Sequence, residues 1–210
     1  MRKWMMIFAT VTLLFVGALP ALPDTLGVDF ASSANVEGQV NVWNLGFEFR
    51  VINPITVTAL GAYDAPTGWG GEQNVGLWDA QGNLLASTLV NNTDLAVGHW
   101  YFHSINPITL AAGQDYVVGA QGGTNLAGFL PILVDPNISY VEDRFFNFGG
   151  PSPLTPLTLP SGTESLTSTS DAGFFGGNLM LTSAPEPGSL VLLGTCVVGL
   201  AWKLRRRRAA

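Results

Sequence analysis

From Leu26 to Leu181 no apolar run keeps a helical period; hydrophobic residues come in runs of five to nine, broken by Gly, Asn, Asp and Pro. These runs are rich in Val, Ile, Leu, Thr and aromatic residues, which suit a pleated, half-buried surface. The breakers supply turn chemistry between them. The spacing predicts strands at Leu45 to Ile52, Ile55 to Tyr63, Asn74 to Asp79, Leu84 to Val90, His99 to Ile105, Gln114 to Ala120, Phe129 to Val134, Arg144 to Phe148 and Gly177 to Leu181. Short, regular strands of this kind predict an all-β fold, an antiparallel β-sandwich of jelly-roll-like type over residues 26–183.

Several turns can be read directly. Trp78-Asp79-Ala80-Gln81-Gly82-Asn83-Leu84 places Asp, Gly and Asn between two apolar runs, as a hairpin loop with a positive φ requires. Asn53-Pro54 and Asn106-Pro107 each remove a ladder donor and predict a strand start or an edge. Ile52-Asn53-Pro54-Ile55-Thr56 is echoed 53 residues later by Ile105-Asn106-Pro107-Ile108-Thr109, which reads as matching strands in two halves of one sandwich. The Pro/Ser/Thr-rich run 151–172 reads as a loop or extended linker with solvated backbone.

The charges are partitioned. Of nine Lys and Arg residues, Arg2 and Lys3 lie at one end and Lys203, Arg205, Arg206, Arg207 and Arg208 at the other. Between Asp24 and Asp171 only Arg50 and Arg144 face fourteen acids, a formal charge near −12. Such an interior has no basic face with which to displace counterions from phosphate, so nucleic acid is excluded as a partner. One cysteine excludes an intramolecular disulfide and a Cys-based zinc cluster.

Residues 1–21 have the layout of a secretory signal peptide: a basic start, an apolar run from Trp4 to Val16 and small residues before cleavage after Ala18 or Ala21. An uncleaved anchor is the alternative. At the other end, Pro185-Glu186-Pro187-Gly188 holds the chain extended. Ser189 to Trp202 are uncharged, enough for a helix of about 21 Å at 1.5 Å per residue. Extended through Leu204 with Lys203 snorkelling, this is read as a transmembrane helix over 189–204, stopped by the arginines on the cytoplasmic side.

The motif Pro185-Glu186-Pro187, the short apolar helix and the basic stop at Lys203 and Arg205 to Arg208, in this order, resemble the PEP-CTERM sorting signal of exported Gram-negative proteins. The resemblance implies an exosortase, a membrane protease or transpeptidase cutting near Pro-Glu-Pro, as processing partner. It implies passage through the inner membrane by the secretion translocase and signal peptidase, a transient membrane anchor before processing, and then a cell-surface or extracellular location associated with exopolysaccharide and biofilm. An ordinary tail anchor with a proline-rich stalk is the alternative. Gly46 to Phe49, Pro54 to Gly61, Val75 to Asp79 and Thr109 to Tyr116 also resemble a β-rich domain of unknown function found in exported bacterial proteins. That resemblance implies a β-sandwich and no established activity.

Chemistry-bearing motifs are sparse. His99 and His103 share a face at the strand period, without a third ligand near in sequence to complete a zinc site. No Gly-x-Ser-x-Gly elbow occurs. No cofactor is implied; calcium is the one ion with oxygen ligands at hand, at Asp79 to Asn83, Asp135-Pro136-Asn137 and Glu142-Asp143, although acids in turns equally serve as caps. Trp69, in the glycine-rich loop Thr67-Gly68-Trp69-Gly70-Gly71, is the candidate platform for stacking a sugar, whereas Trp78 and Trp100, flanked by strand residues, are expected in the core. The expected function is therefore non-catalytic, with exopolysaccharide as the candidate ligand. A purely structural matrix protein is one rival. The other is a polysaccharide-acting enzyme using Glu142 with Asp143, or Asp64 with Glu72, facing each other across a cleft at roughly 5 to 9.5 Å.

Overall fold

The computed structural model describes residues 24–30, 36–39, 43–63, 71–122, 125–129, 132–151, 153–164 and 172–183, and every regular element among them is a strand. In chain order these are β1 (Thr25–Leu26), β2 (Val28–Phe30), β3 (Val36–Gln39), β4 (Trp43–Val51), β5 (Ile55–Tyr63) and β6 (Gln73–Asp79). They continue with β7 (Leu84–Val90), β8 (Leu95–Val97), β9 (Trp100–Leu110), β10 (Asp115–Gln121) and β11 (Asn125–Phe129). The last are β12 (Ile132–Val134), β13 (Ile138–Asn147), β14 (Gly162–Glu164), β15 (Ala172–Phe174) and β16 (Gly177–Ser183). The expected signal peptide at 1–21 and the expected transmembrane helix at 189–204 lie outside the described residues.

Two large antiparallel sheets, ordered β1-β16-β5-β9-β8 and β14-β13-β4-β10-β6-β7, are joined by two small ones, β15-β11-β3 and β12-β2. Alternation along the strands explains how the large sheets share a core. Ile55 and Val57 of β5 are buried while Thr56 and Thr58 between them are half-buried, the mark of one apolar face. Phe47, Phe49 and Val51 of β4, Tyr116 and Val118 of β10, and Val75 and Leu77 of β6 meet Leu60, Phe102, Leu179 and Leu181 of the other sheet in one cluster. Full burial of an aliphatic or aromatic side chain is worth roughly 1.5 to 3 kcal/mol, so this layer is the main source of stability.

The β6–β7 hairpin forms as its sequence predicts. Asp79 Oδ1 accepts the N–H of Gln81 at 3.0 Å and of Asn83 at 2.8 Å, its Oδ2 accepts Asn83 Nδ2 at 2.9 Å, and Gly82 adopts φ +81°. The internal echo has a different outcome from the expected one. Its two copies lie side by side in one sheet, β5 antiparallel to β9, with Thr56 opposite Thr109. Pro54 immediately precedes β5. Asn106-Pro107 instead falls within β9, where the register shifts between Ile108 and Ser104 and a bulge accommodates the missing donor.

Residues 153–160 also depart from expectation. They cross the outer face of the six-stranded sheet as a strap whose backbone is bonded to side chains. Gln121, fully buried, donates Nε2 to the carbonyls of Pro153 (2.9 Å), Leu154 (3.3 Å) and Pro156 (2.7 Å), and its Oε1 accepts Thr158 N–H at 2.9 Å. Asn74 Nδ2 donates to the Leu154 carbonyl at 2.8 Å, and Asn44 Nδ2 to the Thr158 carbonyl. The solvated-backbone expectation fails here because three amides take the place of water.

Candidate functional site

The strap sits where it does because of three aligned residues in each of two rows. In the sheet register Asn44 is opposite Gln121 and Gln121 opposite Asn74; two residues along, Gly46 is opposite Gly119 and Gly119 opposite Gly76. The amide row supplies hydrogen bonds and the glycine row supplies depth. A Cβ on Gly119 would lie 2.9 Å from Pro160 Cγ, and one on Gly76 would lie 2.6 Å from Leu157 Cδ2 and 2.4 Å from Trp78 Cη2. Trp78 is thus buried beneath the strap on the outer face, not in the core between the sheets where it was expected. Trp100 is in that core, stacked on Phe30 at 5.8 Å and edge-on to Tyr63 at 5.4 Å. Trp43 is half-buried against Phe145 at 6.0 Å.

The candidate acids are spread over separate structural tasks. Glu142 faces outward beside Glu48, and Arg144 bridges them, bonded to Glu48 and 3.1 Å from Glu142. Asp143, opposite Phe47, is fully buried on the inner side and accepts the hydroxyl of Tyr140. Neighbours in a strand point to opposite faces. Glu142 and Asp143 therefore do not bracket a common cleft, and the carboxylate that does stand beside Glu142 shares a guanidinium with it where a hydrolytic pair would hold a water or glycosidic oxygen. Glu72 is exposed, and Asp64 lies outside the described residues.

His99 and His103 do not converge. His99 Nδ1 is 3.0 Å from Asp29 Oδ1, and His103 Nδ1 is 2.9 Å from Asp94 Oδ1. Among the described residues no group of three or more His, Cys, Asp or Glu side chains is placed to hold a metal ion. The loop acids considered for calcium act as turn caps. Asp135 accepts Thr25 Oγ1 at 2.6 Å, Asn137 N–H at 2.8 Å and Asn137 Nδ2 at 3.0 Å. The bonds from Asn83 hold the Asp79 carboxyl below the usual carboxylate range. The Arg50 guanidinium, bidentate on Asp115 at 2.7 Å for each contact, lowers Asp115 in the same way.

Of the sequence-predicted site residues, Trp69, Pro185, Glu186, Pro187, Lys203, Arg205, Arg206, Arg207 and Arg208 lie outside the described residues. The strand that leads to the sorting motif is described. β16 is paired on both sides, Ser183 with Ile55 of β5, and Leu181 with Thr25 of β1. The turns beside Ser183 are tied together: Ile52 N–H donates to the Asn137 carbonyl at 2.7 Å, Gly113 N–H to the Val51 carbonyl at 2.7 Å, and Asp135 N–H to the Gly27 carbonyl at 3.0 Å.

Comparison with known proteins fits this division of the chain. Residues 29–127 match the family described as Domain of unknown function (DUF4082), and residues 183–207 match the PEP-CTERM protein-sorting motif. No curated protein matches the chain. The first match ends before β12, so the strap and β16 come from the sequence beyond it. The chain thus carries a DUF4082 domain in a mostly β-strand region followed by a PEP-CTERM sorting motif, which implies exosortase as processing partner and export to the envelope or surface of a Gram-negative bacterium.

Proposed function

We propose that this protein is an exported, jelly-roll-like β-sandwich that exosortase releases or transfers at the cell surface or into the extracellular matrix, where it acts without catalysis. The observation that carries the reading is the sorting motif at 183–207, which starts at the last residue of β16. The acids and histidines of the domain support the non-catalytic part, because Glu142, Asp143, His99 and His103 are each engaged with a different neighbour. In this reading residues 1–21 are removed on export and the span 189–204 is a transient anchor. Exopolysaccharide is the ligand class we assign, through Trp69.

Intact mass tests the reading. Protein recovered from the surface and medium of a host with an exosortase should lack the leader and everything after the Pro-Glu-Pro region, and protein from the same host without it should keep residues 185–210. Retention in both hosts would make this a tail-anchored envelope protein. The mature form should then bind an acidic or neutral bacterial polysaccharide in a Trp69-dependent manner, and release of new reducing ends from that polymer would overturn the non-catalytic assignment.

A further inference from the structure

The short distance between the last strand and the sorting motif constrains how the protease can reach its substrate. Only Ala184 separates Ser183 from Pro185, and a connection that short reaches at most about 7 Å when fully extended. The residues on the N-terminal side of the motif are not free to enter a cleft as an extended peptide, because Thr182 and Ser183 are paired with Thr56 and Ile55. Peeling β16 away would expose Leu179 and Leu181, both fully buried, and would separate β1 from β5. An enzyme surrounding Pro185-Glu186-Pro187 must therefore touch the end of the folded domain.

That end has a defined surface. It is formed by Ile52-Asn53-Pro54, the 111–114 turn and Asp135-Pro136-Asn137, locked together by the backbone bonds around Asn137 and Val51. Asn53 Nδ2 adds a bond to Asn137 Oδ1 at 3.2 Å. Arg50 is paired with Asp115, and Asp135 is 8% exposed with its oxygens bonded, which leaves the exposed Asp24, directly before Thr25 of β1, as the acid beside this surface. Ile52 stands 51% exposed at its centre. In a domain whose interior carries a charge near −12, this is a sparsely charged, partly apolar patch at the place a protease must approach. β1 runs antiparallel to β16, so the chain also comes into the domain at this end.

We infer that exosortase acts on the folded domain and that the Ile52-Asn53-Pro54, 111–114 and 135–137 surface is its docking face. The inference rests on the sorting reading above. The test is the rate at which full-length precursor becomes mature protein in an exosortase-bearing host. Ile52→Glu should slow conversion about tenfold, the loss expected when a central apolar contact of an interface is replaced by a charge. Its thermal melting should match the parent, since the side chain is exposed. A flexible Gly/Ser insert of about twelve residues after Ala184, spanning roughly 20 Å, lets the motif bind away from the domain, so within insert-bearing chains Ile52→Glu should no longer change the rate. Conversion of Ile52→Glu at the parental rate, or a tenfold difference that persists between the insert-bearing parent and the insert-bearing Ile52→Glu chain, would overturn the docking face. A precursor never cut in either spacing would overturn the sorting reading itself.

Discussion

The two faces of the six-stranded sheet are built by the same strands and held by different forces. Inward, Phe47, Phe49, Val118 and Leu77 fill volume against the five-stranded sheet. Outward, the alternate residues Asn44, Gln121 and Asn74 supply hydrogen bonds for the strap, and Gly119 and Gly76 supply empty space for it. The inner face depends on the size of its side chains and the outer face on their absence or their amides. The same β pattern can thus bury both faces of a strand without being hydrophobic on both.

The largest effect should come from the inner face. Phe47 is fully buried, with ring centroids of Phe49, Tyr140 and Phe175 at 5.9, 6.1 and 6.0 Å. Phe47→Ala should lower unfolding stability by about 3 to 5 kcal/mol through lost transfer energy and a residual cavity, measured by denaturant titration. A loss below about 1 kcal/mol would mean that the two sheets do not share one core.

Gln121→Ala should act next, and differently. It strips the partners from three strap carbonyls and the Thr158 N–H. Groups left buried and unbonded would cost about 1 to 3 kcal/mol each, but the strap can lift into water, so the total should stay near that range. Native-state proteolysis should then cut within 153–160 while the sheet strands remain protected. Uniform destabilisation with an uncut strap would erase the distinction between the faces.

The inner face was legible in the sequence because alternation of large apolar residues is a direct signal. The runs Ile55–Tyr63 and Leu84–Val90 coincide with β5 and β7. β13 begins six residues before the expected Arg144, since Val141 lies at a register shift and Asp143 puts a polar acid side chain on the inner side, which together hide the period. The outer face left a trace that is readable only in three dimensions. Asn44-Leu45-Gly46 and Asn74-Val75-Gly76 are matched in reverse by Gly119-Ala120-Gln121, and antiparallel pairing turns those separate triplets into two continuous rows. Nothing local marks an amide as facing a strap rather than water. The Pro-rich run reads as linker for the same reason, as its partners lie more than thirty residues away. The sorting motif needed no fold to be recognised, because an extended recognition sequence is read in one dimension, whereas its closeness to β16 became visible only with the strand register.

The smallest effect tests the rim that joins the faces. Asp79 closes the β6–β7 turn, and a Cβ on Gly82 in that turn would lie 3.2 Å from Leu159 of the strap. Asn83 and the turn N–H groups hold the Asp79 carboxyl below its ordinary value. A folded-state pKa lower than the unfolded one adds stability that is present above the unfolded value, about 3.9, and is lost as pH falls through the folded value. The wild-type melting temperature should therefore drop as pH is lowered below about 4. In Asp79→Asn the melting temperature should be slightly lower at neutral pH and its acid decline shallower, while the part due to Asp115 and Arg50 persists. Because the turn abuts the strap, cleavage within 153–160 should rise on acidification before the inner core melts. If strap and core instead respond together at every pH, the amide row is coupled to the core more tightly than a separate layer would be, and the division between the two faces would have to be withdrawn.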